Sequence, residues 1–282
     1  MSTVPLTSSY ATIGGLMVGG REDTGCDWIL EDVKWGTPGG TLTPIQKPRQ
    51  AGAWGGQSYA QARPGVLRGT LWAPTAALAI DAFDRLNAAF SLDESVLTIV
   101  QSGVPRWQSV RRDGDVLPVW IGPTAFTWSV QVVALDSRMF GSTLSGSTFL
   151  PSSTGGLQWA DQWAQDWPAV TNSGTVSLTN PGNETGPVVL RIDGPATGPQ
   201  ITHVGSASAL VFSSSLVLGV GEWLTVDMEK HTTMANDQAS RNGYVTSRGW
   251  SGFDPGVNVW SLASTAYNAL TKLTVTGTIA YK

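Results

Sequence analysis

One stretch of this 282-residue chain carries a full amphipathic helical pattern, an apolar face opposite a polar one. In PTAALAIDAFDRLNAAFS, Leu78, Ala82, Leu86 and Phe90 recur every four residues, with Ala79 and Phe83 beside them. Asp81, Asp84, Arg85 and Asn87 fall on the opposite side, and Thr75 after Pro74 supplies an N-cap. The spacing predicts a single helix near residues 75–90, so the rest of the chain must fold as strands and turns. The composition agrees. The chain holds 33 Gly and 16 Pro to make turns, 13 Trp to fill cores, and only 13% charged residues. That mixture suits short strands joined tightly.

The strand pattern divides the chain. IGGLMVGG, DWILEDVKW and TPGGTLTP are strands broken by glycine. In CDWILEDVKW, simple alternation puts Trp28, Leu30, Asp32 and Lys34 on one side and Ile29, Val33 and Trp35 on the other, as on a sheet covered on one face. RPGVLRGTLWA is the next strand, ending at Pro74. After the helix, SVLTIVQ, PRWQSVRR, DVLPVWIG and AFTWSVQVVALDSRMFG complete an N-terminal β unit over residues 1–142. Residues 143–172 begin rich in Ser, Thr and Gly, continue rich in Trp, and read as a connecting segment. From 173 to 282, roughly eight strands at short spacing, with turns at PGNETG and DPG, predict a two-sheet sandwich.

Charge and cysteine narrow the function classes. The net charge of −4 is spread evenly: residues 1–140 carry 11 basic and 12 acidic side chains, and the remainder carry 6 and 9. No basic cluster exceeds Arg111-Arg112, so nucleic acid is not an expected partner. Cys26 is the single cysteine, which excludes an intramolecular disulfide framework and a cysteine-based zinc site. The opening MSTVPLTSSY lacks a basic segment followed by an apolar run, so no secretory signal is read there. No apolar run has the length of roughly 18 residues that a membrane-spanning helix needs. The expectation is a protein made in a cytoplasm that neither inserts in a membrane nor holds a cofactor.

The most chemical-looking stretch is GEWLTVDMEKHTTMANDQASRNGY, residues 221–244. On a strand, Leu224, Val226 and Met228 would share one face, and Trp223, Thr225, Asp227 and Glu229 the other. Side chains two apart lie about 6.5–7 Å apart along a strand, the separation of the carboxylates in an inverting glycosidase. Nothing nearby would push the two pKa values apart, however, and a solvated hairpin face produces the same pattern. Asn242-Gly243 is read as the turn able to take φ > 0. His203 and His231 lack metal-ligand spacing, and no G-x-S-x-G elbow or phosphate loop occurs. The tryptophans form the remaining signal. Trp159, Trp163 and Trp167 recur every four residues, and Trp159, Trp163 and Trp223 are the candidates for stacking on a glycan. Packing at a domain or subunit contact is the competing use of such side chains.

The C-terminal residues also resemble a known family. An Asn-x-Gly turn leads to a Pro-initiated strand (Asn180, Gly182, Pro187), followed by an Ile-x-Gly-Pro corner (Ile192, Gly194, Pro195). Gly221-Glu222 precedes a strand ending at Asp227. An Asn/Asp-rich hairpin is then followed by Trp250, Phe253 and Pro255-Gly256-x-Asn258. This series resembles the C-terminal domain of the distal tail proteins (Dit) of long-tailed phages, a form common among actinobacteriophage minor tail proteins. The N-terminal half agrees in its strands, its single helix and its closing β pair. The resemblance implies a mainly β fold, with an N-terminal β-barrel crossed by a helix and a galectin-like C-terminal sandwich. It implies a structural, non-enzymatic role in the virion's tail tip, as a homo-hexameric ring. Such a ring joins the tail tube protein to the tail-tip or baseplate hub, with the tape-measure protein as a further partner. A glycan-binding module contacting the host cell wall is the alternative.

Overall fold

The computed structural model describes residues 3–5, 9–154, 170–266 and 268–282. They form a mainly β protein whose one α-helix among the described residues spans Ala76–Ala89. The chain divides into two compact units, Met1–Gly141 with Lys282, and Ser142–Tyr281.

In the first unit one antiparallel sheet runs in the order Gly20–Glu22, Asp27–Trp35, Arg63–Trp72, Ala125–Ala134, with Leu117–Gly122 also paired to Ala125–Ala134. A second series runs Leu16–Val18, Tyr10–Ile13, Ser95–Gln101, Val104–Arg112. The last strand links the two, because Arg111 and Arg112 pair with Val133 and Val132. The helix closes the core with Ala82, Leu86 and Ala89 against Trp28, Leu71, Phe126 and Trp128. Its start follows the sequence expectation: the Thr75 side chain accepts a hydrogen bond from the Leu78 N–H.

Strand Asp27–Trp35 departs from simple alternation. Its register against Arg63–Trp72 shifts between Arg68 and Gly69, where Gly69 faces Leu30 but Arg68 faces Asp32. The extra residue, Glu31, is a bulge that reverses which side chains face inward. Trp28 and Leu30 before it, and Val33 and Trp35 after it, therefore all pack on one core. Gly69 is required beside the bulge: a Cβ there would stand 2.3 Å from the Ile29 carbonyl oxygen and 2.7 Å from the Trp128 ring.

Between these two strands the chain makes a separate arm. Gly40–Thr41 pairs with Tyr59–Ala60 and Ile45–Gln46 with Ala53–Trp54. From 36 to 62 every residue but Pro38 and Lys47 is exposed.

The second unit is a two-sheet sandwich. One sheet runs Met139–Phe149, Lys272–Tyr281, Val188–Asp193, Trp223–Asp227, Thr232–Ala235, Ala239–Ser240; the other runs Thr175–Asn180, Gly256–Ala263, Gln200–His203, Ser208–Phe212, Val245–Arg248. Alternate residues such as Leu190, Ile192, Val226, Leu273 and Val275 meet Ile201, Leu210, Trp260 and Leu262 in the core. Residues 143–149, whose composition reads as the start of a connection, lie in a strand. Thr143 and Ser145 face the hydroxyls of Thr278 and Thr276 at 3.3 and 3.4 Å. Gly146 leaves room for Val176, 2.6 Å from where its Cβ would be. Small polar residues here serve cross-strand pairing, and their composition resembles a loop's for that reason.

Candidate functional site

The acid-bearing hairpin does not present its two carboxylates as a pair. Its strand ends at Asp227, so Asp227 and Glu229 are not two positions on one strand face. The Asp227 carboxylate instead turns onto its own backbone, accepting from the N–H groups of Glu229 at 3.1 Å and Lys230 at 2.9 Å, with the Lys230 ammonium at 3.3 Å. That is an Asx-type turn: Oδ1 is held by the backbone and Oδ2 faces the Lys230 ammonium. The residues with φ > 0 are His231, Asn236 and Asp237, while Asn242–Tyr244 is a 3-10 turn. The tight turn therefore falls at Asn236-Asp237 rather than at Asn242-Gly243. Asn242 ties the hairpin from outside, its Oδ1 accepting from both the N–H and the hydroxyl of Thr233.

Both histidines sit on tryptophans. His203 is buried and stacked on Trp260 at 4.9 Å, with Nδ1 2.8 Å from the Ser206 hydroxyl and Nε2 3.1 Å from Asn258 Oδ1. Asn258 donates its amide to the carbonyls of Asp254 and Gly256, so its oxygen faces His203 and Nε2 must be the donor. His231 stacks on Trp250 at 4.8 Å. Among the described residues no three His, Cys, Asp or Glu side chains gather as metal ligands.

Trp159 and Trp163 lie outside the described residues. Trp223 is half-buried; the Arg191 guanidinium covers its ring at 4.5 Å and its indole N–H donates to Asp237 at 3.1 Å. Hydrogen bonds from Thr225 and Trp223 hold the Asp237 carboxyl below its ordinary value. Trp223 is thus anchored to its own sheet.

The C-terminal motif residues are corners of the sandwich. Asn180 is buried and donates to the carbonyls of Glu184 and Phe253 while accepting from the Gly182 N–H. Gly194-Pro195 is a cis peptide, and Glu222 accepts from the Gly219 N–H at 2.6 Å.

A polar cluster that the sequence did not flag lies in the first unit. Glu22, nearly inaccessible, accepts from the Trp28 indole at 2.8 Å, from Thr24 at 2.9 Å, and from Arg85 at 2.6 and 3.0 Å. Burial would raise its pKa, but the hydrogen bonds from Arg85, Trp28 and Thr24 outweigh that and lower it. Four donors saturate this carboxylate and lock the helix to the sheet, which suits structure rather than catalysis.

The unusual surface is apolar. Fifteen of the twenty-two large apolar side chains exposed among the described residues belong to the first unit. They concentrate in two places. The arm carries Leu42, Ile45, Trp54 (55% exposed) and Tyr59 (64%). The edge strand Leu117–Gly122 pairs on one side only and exposes Leu117, Val119 (65%), Trp120 and Ile121. Single exposed apolar residues are ordinary, but an unpaired edge rich in them is a template for another chain. The signal was present in LPVWIG, which is apolar on both strand faces.

No protein-family model matches the chain, and no curated protein matches its sequence. Among solved structures it is similar to the Dit protein (gp 19.1) of phage SPP1, described as a paradigm of the hub adsorption apparatus in phages that infect Gram-positive bacteria. The two align with a TM-score of 0.69 and 12% identity over 98% of this chain and 100% of that one. Chains of the phage P2 baseplate in its activated conformation align at 0.45 with calcium (9% identity, 88% of this chain and 90% of that one) and at 0.48 with strontium (8%, 96% and 98%). The first likeness shows a mainly β, Dit-like fold.

Proposed function

We propose that the chain is a non-enzymatic structural component of a long phage tail, located at the tail tip. There it forms a ring, six-fold in symmetry, that joins the tail tube to the baseplate or host-recognition proteins. The observation that carries this reading is the apolar surface of the first unit. An arm and a sheet edge with exposed aromatic and aliphatic side chains are costly for a lone protein and are what a chain pairing with copies of itself would use. The whole-length Dit-like fold supports the same reading without carrying it, since one fold serves many functions. The second unit, with fewer exposed apolar residues, takes the ring's periphery. The glycan-binding alternative gains no support at Trp223, whose ring is already covered by Arg191.

Gold-labelled antibody on virions tests the assignment. Label at the distal end of the tail, and none along the shaft or on the head, is the expected result; label distributed elsewhere would overturn it.

A further inference from the structure

A cavity of about 440 Å³ opens at one end of the first unit. The strands converge there: Val33 and Trp35 end one strand, Arg63 begins the next, and Ile99, Gln101, Val104 and Arg106 flank the turn between two more. Lys282, which clusters with this unit, also lines it. No Asp or Glu side chain does.

Two donors in this lining have nothing to donate to. Arg63 is 2% exposed, and its buried Nε–H has no hydrogen-bond partner; the buried indole Nε1–H of Trp35 has none either. Arg63 forms no ion pair among the described residues, and the nearby charge of Arg106 works against it. Burial, and then Arg106, lower the pKa of the Arg63 guanidinium. A buried charge without a counter-ion is strongly unfavourable, and structural arginines are held by carboxylates or carbonyls that satisfy the fork. The unfavourable arrangement becomes favourable once an acceptor with two oxygens enters.

We propose that this cavity is a carboxylate-binding site, with Arg63 as the charged anchor and the Trp35 indole as the second donor. A guanidinium edge matches the two oxygens of a carboxylate. The walls of Val33, Ile99, Val104 and Met139 suit an aliphatic carbon chain better than a hydrated phosphate. The carboxylate comes either from a small free acid or from an acidic side chain of a neighbouring protein. The site does not depend on the ring reading.

The test is calorimetric titration of the full chain with N-acetyl-glutamate amide and with its neutral isostere N-acetyl-glutamine amide. The carboxylate binds about tenfold or more tightly than the isostere, as expected for a charge-assisted pair. Arg63→Met removes that selectivity, and the variant is at least as heat-stable as the parent because it loses an unpaired buried charge. Should Arg63→Met fail to fold, Trp35→Phe deletes only the indole donor and lowers carboxylate affinity by about fivefold. Equal affinities for the two probes, saturation by neither, or selectivity unchanged in both variants overturns the proposal. A Val-Glu-Val peptide that binds more tightly than acetate assigns the carboxylate to a protein segment, and equal binding assigns it to a free acid.

Discussion

Glu22→Gln is the sharpest perturbation of the first unit. Glutamine keeps the size and one acceptor oxygen, so the Trp28 indole can remain bonded. Its amide, however, points a donor at the Arg85 guanidinium, and Arg85 is three-quarters buried with Asp81 as a second acidic partner. Removing one member of a buried pair costs about 3–5 kcal/mol, and Asp81 keeps the figure near the lower bound of about 3. For a unit of this size, each kcal/mol moves the midpoint by roughly 3–4 °C, so its transition falls by about 10 °C. Differential scanning calorimetry would show this as an early shift of one transition, with the second unit's transition unmoved.

The pH dependence supplies an independent check. The folded-state pKa of Glu22 is depressed below the ordinary 4.5, so its stabilisation is present above that value and is lost as pH falls through the folded pKa. The gap between parent and variant is therefore widest near neutral pH and closes in acid. Asp136, also depressed because the hydrogen bonds of Arg138 outweigh its burial, weakens both proteins alike and cancels in the difference. A midpoint shift under about 2 °C, or a gap that does not change between neutral and acid pH, would refute the reasoning.

Other substitutions test other parts of the account. Gly69→Ala forces a methyl group to within 2.3 Å of the Ile29 carbonyl, so it costs about 3 kcal/mol or more and abolishes soluble yield. Asn180→Ala strands the Glu184 carbonyl and the Gly182 N–H and removes one of the two donors to the Phe253 carbonyl, lowering stability of the second unit by about 2–4 kcal/mol in denaturant titration. Asp227→Asn retains an acceptor for the turn and changes stability by about 0.5 kcal/mol or less in denaturant titration. Trp54→Ser with Tyr59→Ser leaves the stability within about 0.5 kcal/mol of the parent while reducing assembly mass in light scattering, because both side chains are exposed in the monomer.

Much of the fold was legible from period alone. The helix at Ala76–Ala89 follows from four-residue spacing and its Thr75 cap from residue type, and the inward faces of Val188–Asp193 and of residues 272–279 follow from alternation. Tertiary pairing was not legible. The bulge at Glu31 depends on the partner strand's Gly69, so no inspection of CDWILEDVKW by itself places Trp28 and Trp35 on one core. The strand at 143–149 was hidden because Thr and Ser serve loops and cross-strand hydroxyl pairs alike. Charged pairings across long separations were equally invisible: Glu22 and Arg85 stand 63 residues apart, and Arg63 is conspicuous only by the partner it lacks. The hairpin acids were misread in one respect. Alternation extended their strand two residues too far, past the turn that Asp227 itself builds.

Negative-stain electron microscopy of the purified full chain, with its mass in solution by light scattering, tests the central claim most directly. The account predicts six-fold rings with an open channel, lost in the Trp54→Ser, Tyr59→Ser variant. Rings that form unchanged in that variant and in one carrying charges along Leu117–Ile121, or a monomer at every concentration, would contradict it.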